Sequence, residues 1–167
     1  TIAMLNGRTI CLRNIDVKKI FELIDKYNVT HFGGAPIVLN MITGAPESDR
    51  KKLKQKVHVL TAGAPPPSII FKKMKDLGFE VMHVYGLTET YGHVTQCAWN
   101  DEWNSYDEDK QNEIKARQGV RYPNTEGVTV MDPETMKEVP SDGKTIGEIM
   151  IRGNVVMKGY FKDKEAT

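Results

Sequence analysis

The feature that most constrains the fold is a strand–helix–strand pattern in the middle of the chain. Residues 57–61, VHVLT, predict a strand that ends in a loop rich in glycine and proline. The segment Ser68–Leu77 predicts a helix, and Glu80–Tyr85 predicts a second strand. Two strands joined by one helix favour a right-handed crossover, and this arrangement makes the two strands parallel.

Capping residues predict further elements around this unit. Asp16 is placed to cap a helix with amphipathic spacing, and Pro36 is placed in the first turn of another helix. Gly78 is placed to end the helix between the two strands. A short strand is expected within Val29–Phe32, and a surface helix is expected to begin near Asp107.

The last third of the chain has a different pattern. From Glu126 onward, short apolar stretches alternate with turn residues at Asp132-Pro133 and Asp142-Gly143. The predicted fold class is therefore α/β, with part of a parallel-sheet layer followed by a small antiparallel β subdomain resembling a partial barrel. We expect the α/β part to span residues 1–119 and the β-rich part to span residues 120–167.

Composition excludes several classes of partner. The 23 lysines and arginines nearly balance 22 aspartates and glutamates, and the net charge of +1 gives no long-range attraction to nucleic acid. No apolar run approaches the roughly 18 residues that would indicate a transmembrane helix.

Cys11 and Cys97 are too few for a disulfide framework and favour the cytoplasm. Without an initiator methionine, the sequence is expected to be a piece of a longer chain.

Two loops are predicted to lie at the same edge of the sheet. In parallel sheets, ligands bind at the carboxyl ends of the strands, where residues 62–67 and 86–90 are expected. In the first loop, Gly63 and Ala64 are small enough for a flat ring to lie against the backbone. The sequence therefore predicts a ligand site formed by both loops.

The second loop, within HVYGLTET, carries groups that suit a nucleotide. Tyr85 offers an aromatic face for a base, and Gly86 permits close approach of the backbone. The hydroxyls of Thr88 and Thr90 suit phosphate oxygens, and the carboxylate of Glu89 suits a divalent cation. The alternative from the residues alone is that Tyr-Gly is an ordinary turn and that the threonines cap a helix.

Three ordered motifs resemble those of the acyl-adenylate-forming, or AMP-binding, superfamily. They are GAPPP, HVYGLTET and GEIMIRGNVVMKGYFKDKEAT, and the resemblance covers essentially the whole chain. The segments THFGGAPIVLNMI and YGHVTQCAW are most similar to medium-chain acyl-CoA ligases, plant-type acyl-activating enzymes and methylmercaptopropionate-CoA ligases. The resemblance implies an ATP-dependent ligase that converts a carboxylic acid into an acyl-adenylate and then transfers the acyl group to coenzyme A.

The resemblance also implies a role for each loop residue. Thr88 would bond the α-phosphate and Glu89 would ligate magnesium, so these two are the candidate catalytic residues. Val84 and, more loosely, His83 would face the acyl pocket. The residues implied to contact the adenine of ATP or AMP are Gly63, Ala64, Pro65, Tyr85, Gly86 and Leu87.

Three other groups that the resemblance implies lie outside residues 1–167. They are an upstream phosphate loop, a ribose-binding aspartate and a catalytic lysine in a C-terminal domain. We therefore expect the isolated chain to be inactive, and its cut sheet to favour dimerisation or aggregation. Two alternatives stay open: an adenylation domain that loads a carrier protein, and a nucleotide-binding fragment without turnover. The identity of the acceptor distinguishes the first alternative, and adenylate binding without pyrophosphate release would indicate the second.

Overall fold

Five strands form one mixed sheet, and two further strands form a separate antiparallel pair, in a computed structural model that describes residues 2–167. The helices are α1 (Val17–Tyr27), α2 (Pro36–Gly44), α3 (Ser68–Asp76) and α4 (Glu108–Lys115). The strands are β1 (His31–Gly33), β2 (Val57–Thr61), β3 (Phe79–Leu87), β4 (Gly92–Gln96), β5 (Val120–Arg121), β6 (Gly127–Met131) and β7 (Glu148–Arg152). No helix among the described residues is long and apolar enough to cross a membrane.

The large sheet has the strand order β1-β2-β3-β4-β5. Strands β1, β2 and β3 are parallel, with Val59 opposite Val81, which confirms the predicted crossover between β2 and β3. The β3–β4 and β4–β5 pairs are antiparallel. The sequence analysis did not anticipate β4. Because β3 extends to Leu87 and pairs with β4, the loop expected at residues 86–90 is reduced to the Thr88–Thr90 tip of a β-hairpin.

The predicted capping residues have the expected positions. The Asp16 carboxylate accepts a hydrogen bond from the backbone N–H of Lys19 at 3.0 Å, and α2 begins at Pro36. Gly78 follows α3 with a φ of +91°, a backbone conformation that favours glycine. Asp107 caps α4, as expected for the surface helix, by accepting a hydrogen bond from the N–H of Lys110 at 2.8 Å.

The hydrophobic core lies on one face of the large sheet. Alternate residues of β2 and β3 point into it, including Val57, Val59, Phe79 and Val81. Helices α1, α2 and α3 contribute the other buried residues of this cluster: Phe21, Ile24, Leu39, Ile42, Ile70, Phe71 and Met74. The intervening strand residues lie on the opposite, exposed face. Along β1, β2 and the first half of β3 the sheet therefore has one covered face and one exposed face, whereas Val84, on the same side of β3 as Glu80 and Met82, is buried.

The β-rich end of the chain is a hairpin with two aspartate turns. Strands β6 and β7 pair along five residues each, and the transition from the large sheet falls between Arg121 and Gly127. Asp142 accepts hydrogen bonds from the N–H groups of Lys144 and Thr145, and these bonds lower the pKa of its carboxyl to about 2. Asp132 closes the other expected turn in the same way.

Candidate nucleotide-binding site

Both predicted loops begin at the same edge of the large sheet. Strands β2 and β3 are parallel neighbours, and the last residue of β2, Thr61, lies opposite His83. The loop that follows β2 therefore begins just past the middle of β3, which continues to Leu87. The sequence prediction placed the two loops at one edge, and the strand register confirms this.

The second loop is a single 3₁₀ turn, Thr88–Thr90, at the tip of the β3–β4 hairpin. Thr90 is 4 % exposed. Its hydroxyl accepts a hydrogen bond from the N–H of Leu87 and lies 2.9–3.0 Å from the carbonyls of Leu87 and Gly92, which share its single proton. Thr88 and Leu87 are exposed. The hydroxyl of Thr90 thus closes the turn, while the hydroxyl of Thr88 is accessible to a ligand.

The β3–β4 hairpin has no room for a side chain at Gly86. A Cβ atom at this position would lie 2.0 Å from the carbonyl oxygen of Gly92. This close approach accompanies an irregularity in strand register between Tyr85 and Gly86. Tyr85 lies opposite Thr95 and is half-buried.

The loop after β2 is open. Gly63 has a φ of +97°, and a Cβ atom there would meet no other atom within 4 Å. Ala64 and Pro65 are also exposed. The loop after β2 therefore exposes a backbone with small side chains at Gly63 and Ala64, and its role as a surface for a flat ring stays a prediction.

Glu89 is held by the C-terminal part of the chain. The Tyr160 hydroxyl donates a hydrogen bond to Oε1 of Glu89 at 2.5 Å, and the N–H of Met157 donates to the Glu89 carbonyl at 2.7 Å. The first bond lowers the pKa of the Glu89 carboxyl and raises the pKa of the Tyr160 phenol. The bond from Tyr160 therefore favours the carboxylate form of Glu89, which is the form that binds cations.

Tyr160 is a site residue that the sequence analysis missed. It lies 71 positions from Glu89, and the Gly-Tyr pair that contains it gave no sign of a partner in another motif. Only the folded chain brings these two motifs together. Sequence periodicity reports local structure, and it carries no signal for this contact.

The two candidate acyl-pocket residues are buried. His83 is 1 % exposed, and its Nδ1 lies 2.9 Å from the backbone carbonyl of Ala116 at the end of α4. Val84 is 2 % exposed and lies opposite Gln96 of β4. A role for either residue in an acyl pocket stays a prediction.

The donor set at this edge fits magnesium bound together with phosphates. Within residues 2–167, no three His, Cys, Asp or Glu side chains come together as a metal cluster. Magnesium in phosphate-transfer sites is commonly held by one or two carboxylates plus substrate phosphates and water. Glu89 supplies one such carboxylate beside the accessible hydroxyl of Thr88.

Many α/β proteins bind ligands at the ends of their strands. The arrangement in this chain, a glycine- and proline-rich loop and a carboxylate-bearing turn at one edge of a mixed sheet, is typical of them. Residues 1–161 match the family model of the AMP-binding enzymes, and the chain belongs to this family. This result confirms the resemblance inferred from the three sequence motifs.

Two plant relatives are similar along nearly the whole chain. The acetate/butyrate–CoA ligase AAE7, peroxisomal, of Arabidopsis thaliana is 53% identical over 99% of this chain. The acetate–CoA ligase CCL3 of Humulus lupulus is also 53% identical over 99% of this chain. The chain spans 29% of the length of each of these two relatives.

The fold is also similar to a solved structure. The N-terminal domain of FACL13 from Mycobacterium tuberculosis superposes with a TM-score of 0.75 at 25% sequence identity. The match covers 99% of this chain and 39% of that domain. The α/β sheet and the small antiparallel pair together therefore form part of an N-terminal domain of this kind, and the predicted fold class is confirmed.

Proposed function

We propose that the full-length protein that contains this chain is an ATP-dependent acyl-CoA ligase. The observation that carries the proposal is the 53% identity to two CoA ligases over nearly the whole chain, including both candidate loops. The accessible hydroxyl of Thr88 and the oriented carboxylate of Glu89 support it, because they lie together at a sheet edge.

The proposed reaction has two steps. An oxygen of the substrate carboxylate attacks the α-phosphorus of ATP, the bond to the β-phosphate oxygen breaks, and acyl-AMP and pyrophosphate form. The thiol of coenzyme A then attacks the acyl carbon, loses its proton and displaces AMP. Neither step requires a nucleophile from the protein, so the task of the chain is to bind, orient and stabilise charge.

The loop residues divide this task. We assign the adenine to the open backbone of Gly63, Ala64 and Pro65 and to the Tyr85 ring, with the Gly86-Leu87 backbone adjoining. The Thr88 hydroxyl donates to an α-phosphate oxygen and offsets the charge that develops there.

Glu89 is assigned to magnesium. When bound, the ion neutralises phosphate charge and orients the pyrophosphate leaving group. The chain contributes a carboxylate whose pKa is lowered below 4.5 by the hydrogen bond from Tyr160. Glu89 would hold the ion, and the hydroxyl of the adjacent Thr88 would bind a phosphate oxygen.

The substrate we propose is a short aliphatic carboxylic acid. One relative is named for acetate and butyrate, and the other is named for acetate. If Val84 lines the pocket, replacement by glycine should admit bulkier acids, and replacement by phenylalanine should favour shorter ones. The shift should be graded, because one methylene is worth about 1–3 kcal/mol of discrimination.

The test of the function is ATP–pyrophosphate exchange by the full-length protein with acetate, butyrate, a medium-chain acid and benzoate. Glu89→Gln should lower the rate at least about tenfold, a loss of about 1.4 kcal/mol of transition-state stabilisation. Glu47→Gln, which changes an exposed glutamate outside both loops, should leave the rate unchanged. An unchanged rate in Glu89→Gln at saturating magnesium would contradict the assignment.

The acceptor is tested separately, by supplying either coenzyme A or a pantetheinylated carrier protein. Formation of the acyl-CoA thioester supports the proposal. Transfer to the carrier alone would indicate the adenylation-domain alternative, and adenylate binding without pyrophosphate release would indicate a protein without turnover.

Three further properties belong to this proposal. We propose a location in the cytoplasm, with the peroxisome as the alternative that the name of one relative suggests; imaging of the tagged full-length protein separates them. A homodimer is proposed as well, and light scattering tests it. The division into subdomains at residue 119/120 is testable by limited proteolysis.

A further inference from the structure

The contact between Tyr160 and Glu89 gives the chain a way to fix the orientation of its candidate metal ligand. We propose that Tyr160 is a positioning residue that holds Oε1 of Glu89, so that the other carboxylate oxygen is directed to the metal. This inference rests on the proposed function, because it assumes the role of Glu89 toward magnesium.

The contact joins two separate parts of the chain. Glu89 lies in the turn between β3 and β4, and Tyr160 follows the β6–β7 hairpin. Besides the 2.5 Å bond between the two side chains, the N–H of Met157 donates to the Glu89 carbonyl at 2.7 Å. Both the backbone and the side chain of Glu89 are therefore fixed by residues 157–160.

Tyr160 is itself held in place by a compact turn. Its N–H donates to Oγ1 of Thr167 at 2.9 Å, and this hydroxyl donates to the Asp163 carbonyl at 2.6 Å. Gly159 has a φ of +150°, and a Cβ atom there would lie 2.5 Å from a side-chain carbon of Thr167. The phenol is thus presented to Glu89 from a local structure with little freedom.

The two oxygens of the Glu89 carboxylate have different surroundings. Oε1 accepts the hydrogen bond from Tyr160, while Oε2 accepts no hydrogen bond from another residue within residues 2–167. A glutamate has three side-chain torsions, and holding one oxygen restricts the position of the other. Groups that hydrogen-bond a metal ligand in this way typically change metal affinity by about 10–100-fold when they are removed.

The experiment compares metal binding rather than activity alone. Mn²⁺, which reports directly in electron paramagnetic resonance, is titrated into the full-length protein with ATP present and the carboxylic acid omitted. Tyr160→Phe should raise the dissociation constant for Mn²⁺ by about 10–100-fold. ATP affinity measured without metal should be unchanged, because the phenol is not assigned to the nucleotide.

The matched control is Tyr91→Phe. Tyr91 directly follows the same turn, is 91% exposed, and its hydroxyl makes no hydrogen bond to the described residues. Removing this oxygen should leave the Mn²⁺ affinity unchanged. A weakening equal to that of Tyr160→Phe would attribute the effect to the general environment of the turn and overturn the proposal.

A double-mutant cycle separates this inference from the proposed function. Adding Tyr160→Phe to Glu89→Gln should have no further effect on Mn²⁺ affinity, because the phenol acts through the carboxylate. If Glu89→Gln weakens Mn²⁺ binding and Tyr160→Phe does not, the positioning role is wrong and the function stands. If the two replacements weaken Mn²⁺ binding additively and also lower ATP affinity, the role of Tyr160 is structural and the positioning role is wrong. An unchanged affinity in Glu89→Gln would overturn the metal role itself.

Discussion

Thr88 and Thr90 flank Glu89 and carry the same hydroxyl group, but the two hydroxyls have different surroundings. Thr90 is 4 % exposed, and its hydroxyl accepts a hydrogen bond from the N–H of Leu87 while the carbonyls of Leu87 and Gly92 share its single proton. Thr88 is exposed. At the scale of single residues, one threonine stabilises the turn and the other is free to meet a phosphate.

Replacement of each threonine by valine should separate these roles in the full-length protein. Thr90→Val removes the hydrogen-bond partner of the part-buried N–H of Leu87, which should lower the free energy of unfolding by about 0.5–1.5 kcal/mol. Thr88→Val should change this free energy by less than about 0.5 kcal/mol, as is usual at exposed positions. It should nevertheless lower the rate of pyrophosphate exchange.

Chemical denaturation and the exchange assay together check this pair. Loss of stability in Thr88→Val, or full stability in Thr90→Val, would show that the hydrogen bonds of the turn are not the cause.

At several candidate site positions the structure supplies a reason for the residue type that the sequence did not show. Gly86 was expected to let a ligand approach, but its missing Cβ makes room for the Gly92 carbonyl across the hairpin. Thr90 was grouped with Thr88 because residue type alone does not tell whether a hydroxyl points inward. Tyr160 was not anticipated, because its partner lies 71 positions away.

At the scale of elements, the helices and the parallel strands followed from local signals. Asp16 and Asp107 occupy the N-cap positions of α1 and α4, and Pro36 is the first residue of α2. These are the positions that each residue type favours. Strand β4 escaped prediction because its five residues begin with glycine and lack an alternating apolar pattern. It forms because β3 supplies an adjacent edge, which is tertiary information.

One contact between elements gives a pH-dependent prediction. The Glu108 carboxylate at the start of α4 binds the ammonium groups of Lys72 and Lys75 on α3. The hydrogen bond from Lys72 lowers the pKa of Glu108 below its ordinary value of 4.5. The stabilisation is therefore fully present above about pH 4.5 and disappears as the pH falls through the lowered pKa of the folded state.

Glu108→Gln should accordingly lower the melting temperature of the full-length protein at pH 7, with the difference from wild type shrinking below pH 4.5. The control is Glu113→Gln on the same helix, whose partners Lys110 and Arg117 are local. It should have a smaller effect, because an exposed pair within one helix contributes little. A constant difference across this pH range would contradict the ionic origin.

At the scale of the whole molecule, the part of the large sheet formed by β1, β2 and the first half of β3 has one exposed face in the described chain. Leu60 of β2 and Met82 of β3 are register partners on this face and are 42% and 38% exposed. His31, His58 and Glu80 form the adjacent row. Strand β1 also lies at the edge of the sheet. An open apolar face and an unpaired strand edge favour association with other chains.

This geometry leads to the last prediction, which concerns the 167-residue chain expressed by itself. It should self-associate through the open face, and the double replacement of Leu60 and Met82 by lysine should reduce the associated fraction in light scattering. The matched control is the replacement of two exposed residues away from this sheet, Ile146 and Phe161, by lysine.

The isolated chain should also fail to catalyse pyrophosphate exchange, because it spans 29% of the length of its two plant relatives and the resemblance implies further catalytic groups outside it. Each missing contribution of about 1.36 kcal/mol to the transition state costs about tenfold in rate. Exchange at about a hundredth of the full-length rate or faster would mean that the catalytic groups lie within these residues.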